Sequence, residues 1–155
     1  MAVTARLQRY LDRQGVPYAV LSHRATITAH DAAAAAHVSD WEMAKVLVGR
    51  DEAGFVMAVL PASCDLNLPL LRRVIGRKQL VLASEGEIRE LFPDCEVGAI
   101  PPFGKLYGLP VYADRCLATS GEVLFAAGNH REEVRLSWRD FVHAAEPIVT
   151  DFCRH

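Results

Sequence analysis

The chain is 155 residues long and 51% hydrophobic, with 19 acidic against 17 basic side chains and a formal net charge of −2. That length and apolar content exclude a disordered or fibrous chain and predict one domain over residues 1–155, able to bury roughly two thirds of its unfolded surface. The charge balance excludes a broad phosphate-gripping face, which needs clustered Lys and Arg, so any nucleic acid is expected to be held locally.

Thr4 is placed to cap a first helix in which Leu7, Tyr10 and Leu11 recur at helical spacing, with Gly15 to end it and Pro17 just beyond. Residues 18–21 read as a short strand. Residues 28–37 are alanine-rich with Asp31 in the first turn, which predicts a short, closely packed helix, and Ser39-Asp40-Trp41-Glu42 has the capping-box spacing. Residues 45–48 and 55–60 are β-branched and apolar, and Asp51-Glu52-Ala53-Gly54 between them predicts a hairpin. Leucines at helical spacing predict a helix over 66–75, then a strand over 78–82. Ser84-Glu85-Gly86-Glu87 is a second capping box, opening a helix that ends at Pro93. Strands are predicted over 110–112, 122–126 and 134–136, and Ser137 caps a last helix over 138–145 that Pro147 stops. Hairpins alternating with helices, and no internal repeat, predict an α/β domain with a mixed sheet.

Between the capped helix and the later strands lies Asp94-Cys95-Glu96-Val97-Gly98-Ala99-Ile100-Pro101-Pro102-Phe103-Gly104, which has neither helix nor strand period. Gly98 admits backbone angles closed to other residues, while Pro101 and Pro102 fix φ and remove two donors. The segment is either a plain connection or a stiff apolar wall with N–H groups near Gly98 and Ala99 that can polarise a carbonyl. Lys45 lies inside an apolar run, where a bare ammonium is costly. It is therefore on a solvent face, paired with a carboxylate, or a functional cation. His130 follows the turn dipeptide Gly128-Asn129 directly after a strand, where a loop presents a side chain to a cleft, although a lone His is ordinarily a surface or packing residue.

Other chemistries find little support. There is no G-x-S-x-G elbow and no H-E-x-x-H pair, and His30 and His37 stand two helical turns apart, too far to share a metal. Cys64, Cys95, Cys116 and Cys153 form no C-x-x-C pair, which suggests neither a zinc ribbon nor a redox dithiol and fits a reduced cytoplasm. Asp94 and Glu96 flank Cys95 and disfavour its thiolate. No metal or cofactor is expected. No stretch approaches the ~18 apolar residues of a membrane span, so no membrane partner is expected either.

With Ala44-Lys45-Val46-Leu47-Val48 upstream and Phe125-Ala126-Ala127-Gly128-Asn129-His130 downstream, the Gly98 to Pro102 loop and its Pro-Phe-Gly continuation resemble the YbaK/prolyl-tRNA synthetase-associated editing domain family. The resemblance covers roughly residues 18–147. It implies an α/β, α+β-like domain whose central mixed sheet is partly barrel-like and flanked by helices, and a deacylase acting on wrongly charged aminoacyl-tRNA. By the same resemblance, Lys45 contacts the phosphate or sugar of the terminal adenosine, a role that suits a compact point charge. Gly98 and Ala99 offer N–H groups to the ester carbonyl, and Ile100, Pro101, Pro102 and Phe103 shape the wall. Gly128 and Asn129 line the substrate side, and His130 positions the aminoacyl group or moves a proton. Asn129 stands where family members often carry Ser or Thr, which bears on amino-acid preference. The family relies on water and the substrate's own ribose hydroxyl, so no protein base is required.

The reading is a free-standing trans-editing deacylase for a small amino acid, with the acceptor end of a mischarged aminoacyl-tRNA as substrate and a synthetase as candidate partner. Two alternatives are a non-catalytic module binding aminoacyl-adenosine, tRNA or a synthetase, and a hydrolase of an unrelated small ester or amide.

Overall fold

The computed structural model describes residues 4–22 and 42–154. The predicted helix over 28–37, with His30 and His37, and capping-box residues 39–41 lie outside them. Helix α1 (Ala5–Gln14) starts at Thr4, whose Oγ1 accepts the Leu7 N–H at 3.3 Å, and ends where Gly15 takes φ 67°. Its Leu7, Tyr10 and Leu11 are buried. Strand β1 (Ala19–Ser22) follows. The predicted hairpin is β2 (Ala44–Asp51) and β3 (Gly54–Pro61), in an antiparallel register that sets Lys45 opposite Leu60 and Asp51 opposite Gly54.

The helix predicted over 66–75 is divided. Asp65–Leu66 is a short strand, β4, and Asn67 caps α2 (Leu68–Ile75) by accepting the Leu70 N–H at 3.1 Å. The strand predicted over 78–82 shrinks to β5 (Val81–Leu82), because a turn in which the Leu80 N–H reaches Arg77 O at 3.2 Å takes up its first half. Both halves of the Ser84 capping box form at the start of α3 (Glu85–Leu91). Then come β6 (Val111–Asp114), β7 (Glu122–Ala126), β8 (Glu132–Ser137) and α4 (Trp138–Ala145), the last capped by Ser137. Pro147 ends the helix but not the regular structure. β9 (Ile148–Thr150) and β10 (Cys153–Arg154) follow, too short to show a period in the sequence.

The five-stranded sheet has the order β5-β2-β3-β6-β9, with antiparallel pairing around β2 and parallel pairing from β3 to β9, so it is mixed as expected. A three-stranded antiparallel sheet, β1-β8-β7, stands beside it. A parallel bridge between Met43 and Leu124, with the Leu124 N–H on Glu42 O at 2.9 Å, joins β7 to the start of β2. Curvature is thereby shared between two sheets without a closed barrel among the described residues.

β3 is buried on both faces. Met57 and Val59 enter the main core with α1, α4, β7 and β8, whereas Val56, Ala58 and Leu60 pack with Leu71, Leu80 and Phe152 in a second core under α2. The carboxylate of Asp114, 1% exposed, ties the C-terminal segment to β6 by accepting the N–H groups of Phe152 at 2.8 Å, Cys153 at 2.9 Å and Cys116 at 2.9 Å. Burial pushes this carboxyl's pKa up, but the three donors outweigh it and hold it below the usual range.

A native pKa below the unfolded one means that the contribution is present above the ordinary carboxylate pKa and is lost as pH falls through the native value. Asp114→Asn should therefore cost about 1.5–3 kcal/mol near neutrality, the worth of a bond to a charged group. In urea unfolding measured against pH, the two proteins should converge toward acid. Parallel curves down to the lowest pH would separate Asp114 from the acid transition.

Candidate functional site

The loop after α3 is anchored at the back and shaped at the front. At the back, Ala99 to Gly104 are all buried. The Phe103 ring, 0% exposed, packs against Phe125 with centroids 5.2 Å apart and against Tyr10 and Phe141 at 5.9 Å. Gly104 has to be glycine, because a Cβ there would lie 2.1 Å from the Leu109 carbonyl oxygen. At the front, the Ala99 N–H donates to Glu96 O at 3.0 Å across a turn whose third residue, Gly98, has φ 85°, the type II pattern that calls for glycine. Glu96 and Gly98 are exposed. The Gly98 N–H meets no backbone acceptor among the described residues.

The turn after β7 is bonded directly to this loop. Gly128 donates its N–H to Ala99 O at 2.9 Å and accepts the Glu96 N–H on its own carbonyl at 2.8 Å. It sits at φ 99°, and a Cβ would lie 2.2 Å from Thr4 Cγ2. The His130 N–H approaches Glu96 Oε1 at 3.4 Å, and His130 Nε2 lies 2.7 Å from Val97 O. Because a carbonyl only accepts, Nε2 carries the proton in that bond. Asn129 is buried, with Oδ1 accepting the Arg131 N–H at 2.8 Å and Nδ2 donating to Glu132 Oε1 at 3.3 Å, so its amide shapes the turn itself.

Lys45 approaches from another element. It is half-buried on the β2 face opposite Ala44 and Val48, sharing that face with its cross-strand partner Leu60. A parallel bridge joins Met43, two residues before Lys45, to Leu124, four residues before Gly128. No carboxylate among the described residues forms an ion pair with it. Hydrogen bonds thus join Glu96, Val97 and Ala99 of the loop to Gly128 and His130 of the turn, with Gly98 and Asn129 between them along the chain. Ile100, Pro101, Pro102 and Phe103 lie behind this junction, and Lys45 lies on β2, two residues beyond the Met43 that bridges to β7.

Sequence reasoning missed four side chains here. Tyr107 Oη donates to Asp94 Oδ1 at 3.0 Å and lies 3.4 Å from Cys95 Sγ, while Arg6 of α1 stacks its guanidinium 4.5 Å from the Tyr107 ring centroid and reaches Asp94 Oδ2 at 3.8 Å. Glu96 supplies the carboxylate facing the His130 N–H. Asp94 and Glu96 were visible as charges, but Arg6 and Tyr107 are distant in sequence and nothing local marks them. Burial, above all, pushes the Cys95 thiol up to about 11, with Asp94 adding to the rise and the Tyr107 hydroxyl opposing it. Among the described residues no His, Cys, Asp and Glu side chains are grouped to hold a metal ion, and no helix is long and apolar enough to cross a membrane.

Residues 23–144 match the profile of the aminoacyl-tRNA editing domain. The chain belongs to that family. Among solved structures it is similar to one described as a candidate trans-editing enzyme for prolyl tRNA synthetase, at 28% identity and a TM-score of 0.87 over 99% of this chain and 100% of the other. It is also similar to a hypothetical protein, at 27% identity and a TM-score of 0.86 over 96% and 99% of the two chains. A longer protein from Marinobacter aquaeolei VT8, described as a candidate for signal transduction, shares the fold at 18% identity and a TM-score of 0.76, with 99% of this chain covering 31% of that one. No match was found among curated proteins.

Because burial pushes the Cys95 thiol up to about 11, far less of it is thiolate at pH 8 than of an ordinary thiol. Iodoacetamide at pH 8 should modify Cys95 far more slowly in the native protein than in urea, as read by peptide mass mapping. Equal rates would show an accessible thiol of ordinary pKa, and a faster native rate an activated one.

Proposed function

We propose that this protein is a trans-editing aminoacyl-tRNA deacylase that hydrolyses the ester between a small, wrongly attached amino acid and the terminal adenosine of tRNA. The observation that carries the reading is the union of the Gly98 loop with the Gly128–His130 turn, in a chain of the editing family. Attack of water on the ester carbonyl places negative charge on its oxygen. The bond to the ribose oxygen then breaks, and that oxygen takes up a proton. The Gly98 N–H is the donor suited to the developing charge, since the Ala99 N–H already serves the turn. Ala99 then contributes by holding Gly98 in place.

His130 donates to Val97 O and so steadies the peptide that leads into Gly98, placing its ring beside the aminoacyl group. Lys45 is the cation for the phosphate or ribose of the adenosine, a reading supported by the bridge to β7 that Met43 makes two residues before it. Ile100, Pro101 and Pro102, backed by Phe103, form a wall that rejects large side chains, and Gly128 and Asn129 close the substrate side. A separate editing step is useful because an apolar synthetase pocket rejects a missing methylene by only ~1–3 kcal/mol. The site is expected to work in the cytoplasm on the acceptor end of tRNA, with a synthetase as the source of substrate.

Incubating the pure protein with a panel of mischarged tRNAs tests this directly, because only a deacylase gives multiple-turnover ester hydrolysis, whereas a binding module gives stoichiometric capture. Gly98→Ala should lower turnover by ~10²–10³ with little change in affinity for a non-hydrolysable aminoacyl-adenosine analogue. Lys45→Ala should cost at least about tenfold, as one charge-assisted contact is worth about 1.5–3 kcal/mol. Cys95→Ser should keep most activity. A dead Cys95→Ser beside an active Gly98→Ala would replace the water mechanism with a cysteine nucleophile.

A further inference from the structure

The net charge of −2 conceals an uneven distribution, since residues 66–83 carry Arg72, Arg73, Arg77 and Lys78 and no acidic side chain. The structure separates these four cations into two roles. Arg77 is committed to the β2–β3 turn: its Nε donates to Asp51 Oδ2 at 2.7 Å, its Nη2 bonds Asp51 Oδ1, and the same Nη2 donates to Gly54 O at 3.0 Å. Arg77 thereby holds the Asp51 carboxyl down to about 2.

The other three cations face a groove of about 340 Å³ lined by Pro69, Arg72, Arg73, Gly76 and Lys78. Pro69, Arg72, Arg73 and Gly76 fall at i, i+3, i+4 and i+7, a single stripe of α2 that ends on its capping glycine. The opposite stripe, with Leu71, is buried in the second core. Arg72 is oriented before any ligand arrives, because its Nε donates to Leu80 O at 2.7 Å. Arg73 and Lys78 are exposed.

The placement relative to Lys45 is informative. Leu80, Leu71 and Leu60 belong to one cluster, and Lys45 shares the face of its partner Leu60, so α2 and Lys45 lie on the same side of the β2–β3 hairpin. The bond between Arg77 and Asp51 puts the C-terminal end of α2 at the far end of β2. That is six residues, about 20 Å, from Lys45 at ~3.3 Å rise per residue. A chain of phosphates running from a nucleotide held at Lys45 would reach the groove after a few nucleotides.

We propose that the Arg72–Arg73–Lys78 groove of α2 is a second docking surface that binds the sugar–phosphate backbone of the RNA whose 3′ end enters the Lys45 site. This rests on the editing reading for its ligand. The groove recognises charge and spacing, not base sequence, and it supplies the local grip that an otherwise acidic protein needs to hold RNA.

The test is salt-dependent binding of an RNA hairpin without an attached amino acid, an acceptor stem with a single-stranded 3′ end, measured by fluorescence anisotropy on the full chain. Arg73→Ala/Lys78→Ala should lower the slope of log K against log[salt] by about 1.4–1.8, at ~0.7–0.9 per phosphate released. Arg139→Ala removes one exposed cation from α4 and should leave the slope unchanged. All three proteins should share one urea midpoint, because the substituted side chains are exposed. A slope unaltered in the double variant overturns the groove, and so does an equal fall in Arg139→Ala. Loss of association with a synthetase while RNA binding persists would make the surface a protein interface and also overturn it. Deacylation assayed in parallel keeps the two readings apart. Hydrolysis with an unaltered slope sinks only the groove, whereas a slope lowered in the double variant of a protein that hydrolyses no mischarged tRNA supports the groove and sinks the deacylase.

Discussion

Gly128 donates its N–H to Ala99 O and accepts the Glu96 N–H on its carbonyl, and the arrangement of the site follows from that pair of bonds. The segment from Asp94 to Gly104 has no strand or helix partner, so its backbone groups must find acceptors and donors elsewhere or remain unsatisfied in a half-buried place. The turn after β7 supplies them. Such bonds are worth only ~0.5–1.5 kcal/mol each in net stability, yet losing one with its partner buried costs more, which is why the two loops keep one mutual arrangement. Only glycine serves at this position, since φ is 99° and the space a Cβ would need is occupied by the Thr4 methyl.

The clamp works because both of its halves are backed by the main core. Phe103 and Gly104 anchor the loop from behind, Phe125 and Ala127 anchor the turn, and Tyr10 and Leu11 of α1 close the same cluster. Arg6 and Tyr107 add a second tie from α1 to Asp94. A loop held this way keeps the Gly98 N–H in one place, which is the condition the proposed oxyanion contact requires.

β2 divides the labour between its two faces. Ala44 and Val48 fill the main core, while Lys45 and Leu47 face the side covered by α2. An ammonium on that side avoids the full desolvation that the core would impose. The parallel bridge from Met43 to Leu124 ties the start of β2, where Lys45 lies, to β7, the strand from which the Gly128 turn departs. The cations of α2 stand on the same side of the β2–β3 hairpin as Lys45, so positive charge is gathered on one flank.

By itself the sequence determined what depends on neighbours along the chain. Thr4, Ser84 and Ser137 cap the helices they were expected to cap, the β2–β3 hairpin turns at Asp51 to Gly54, and the motifs around Lys45, Gly98 and Gly128 identified the family. These features need only local propensity, alternation or a turn residue, all of which are written within a few positions. Tertiary structure decided the rest. Nothing local marks Asp114 as the anchor of the C-terminal strands, Arg6 and Tyr107 as partners of Asp94, or Glu96 and Val97 as the loop atoms that meet His130. Likewise, the Ala99 N–H was visible as a donor, but its engagement with Glu96 O was not. Each of these contacts is a hydrogen bond or ion pair whose geometry exists only after the two sheets have packed. The capacity of the side chains was therefore legible in the sequence, and their pairing was not.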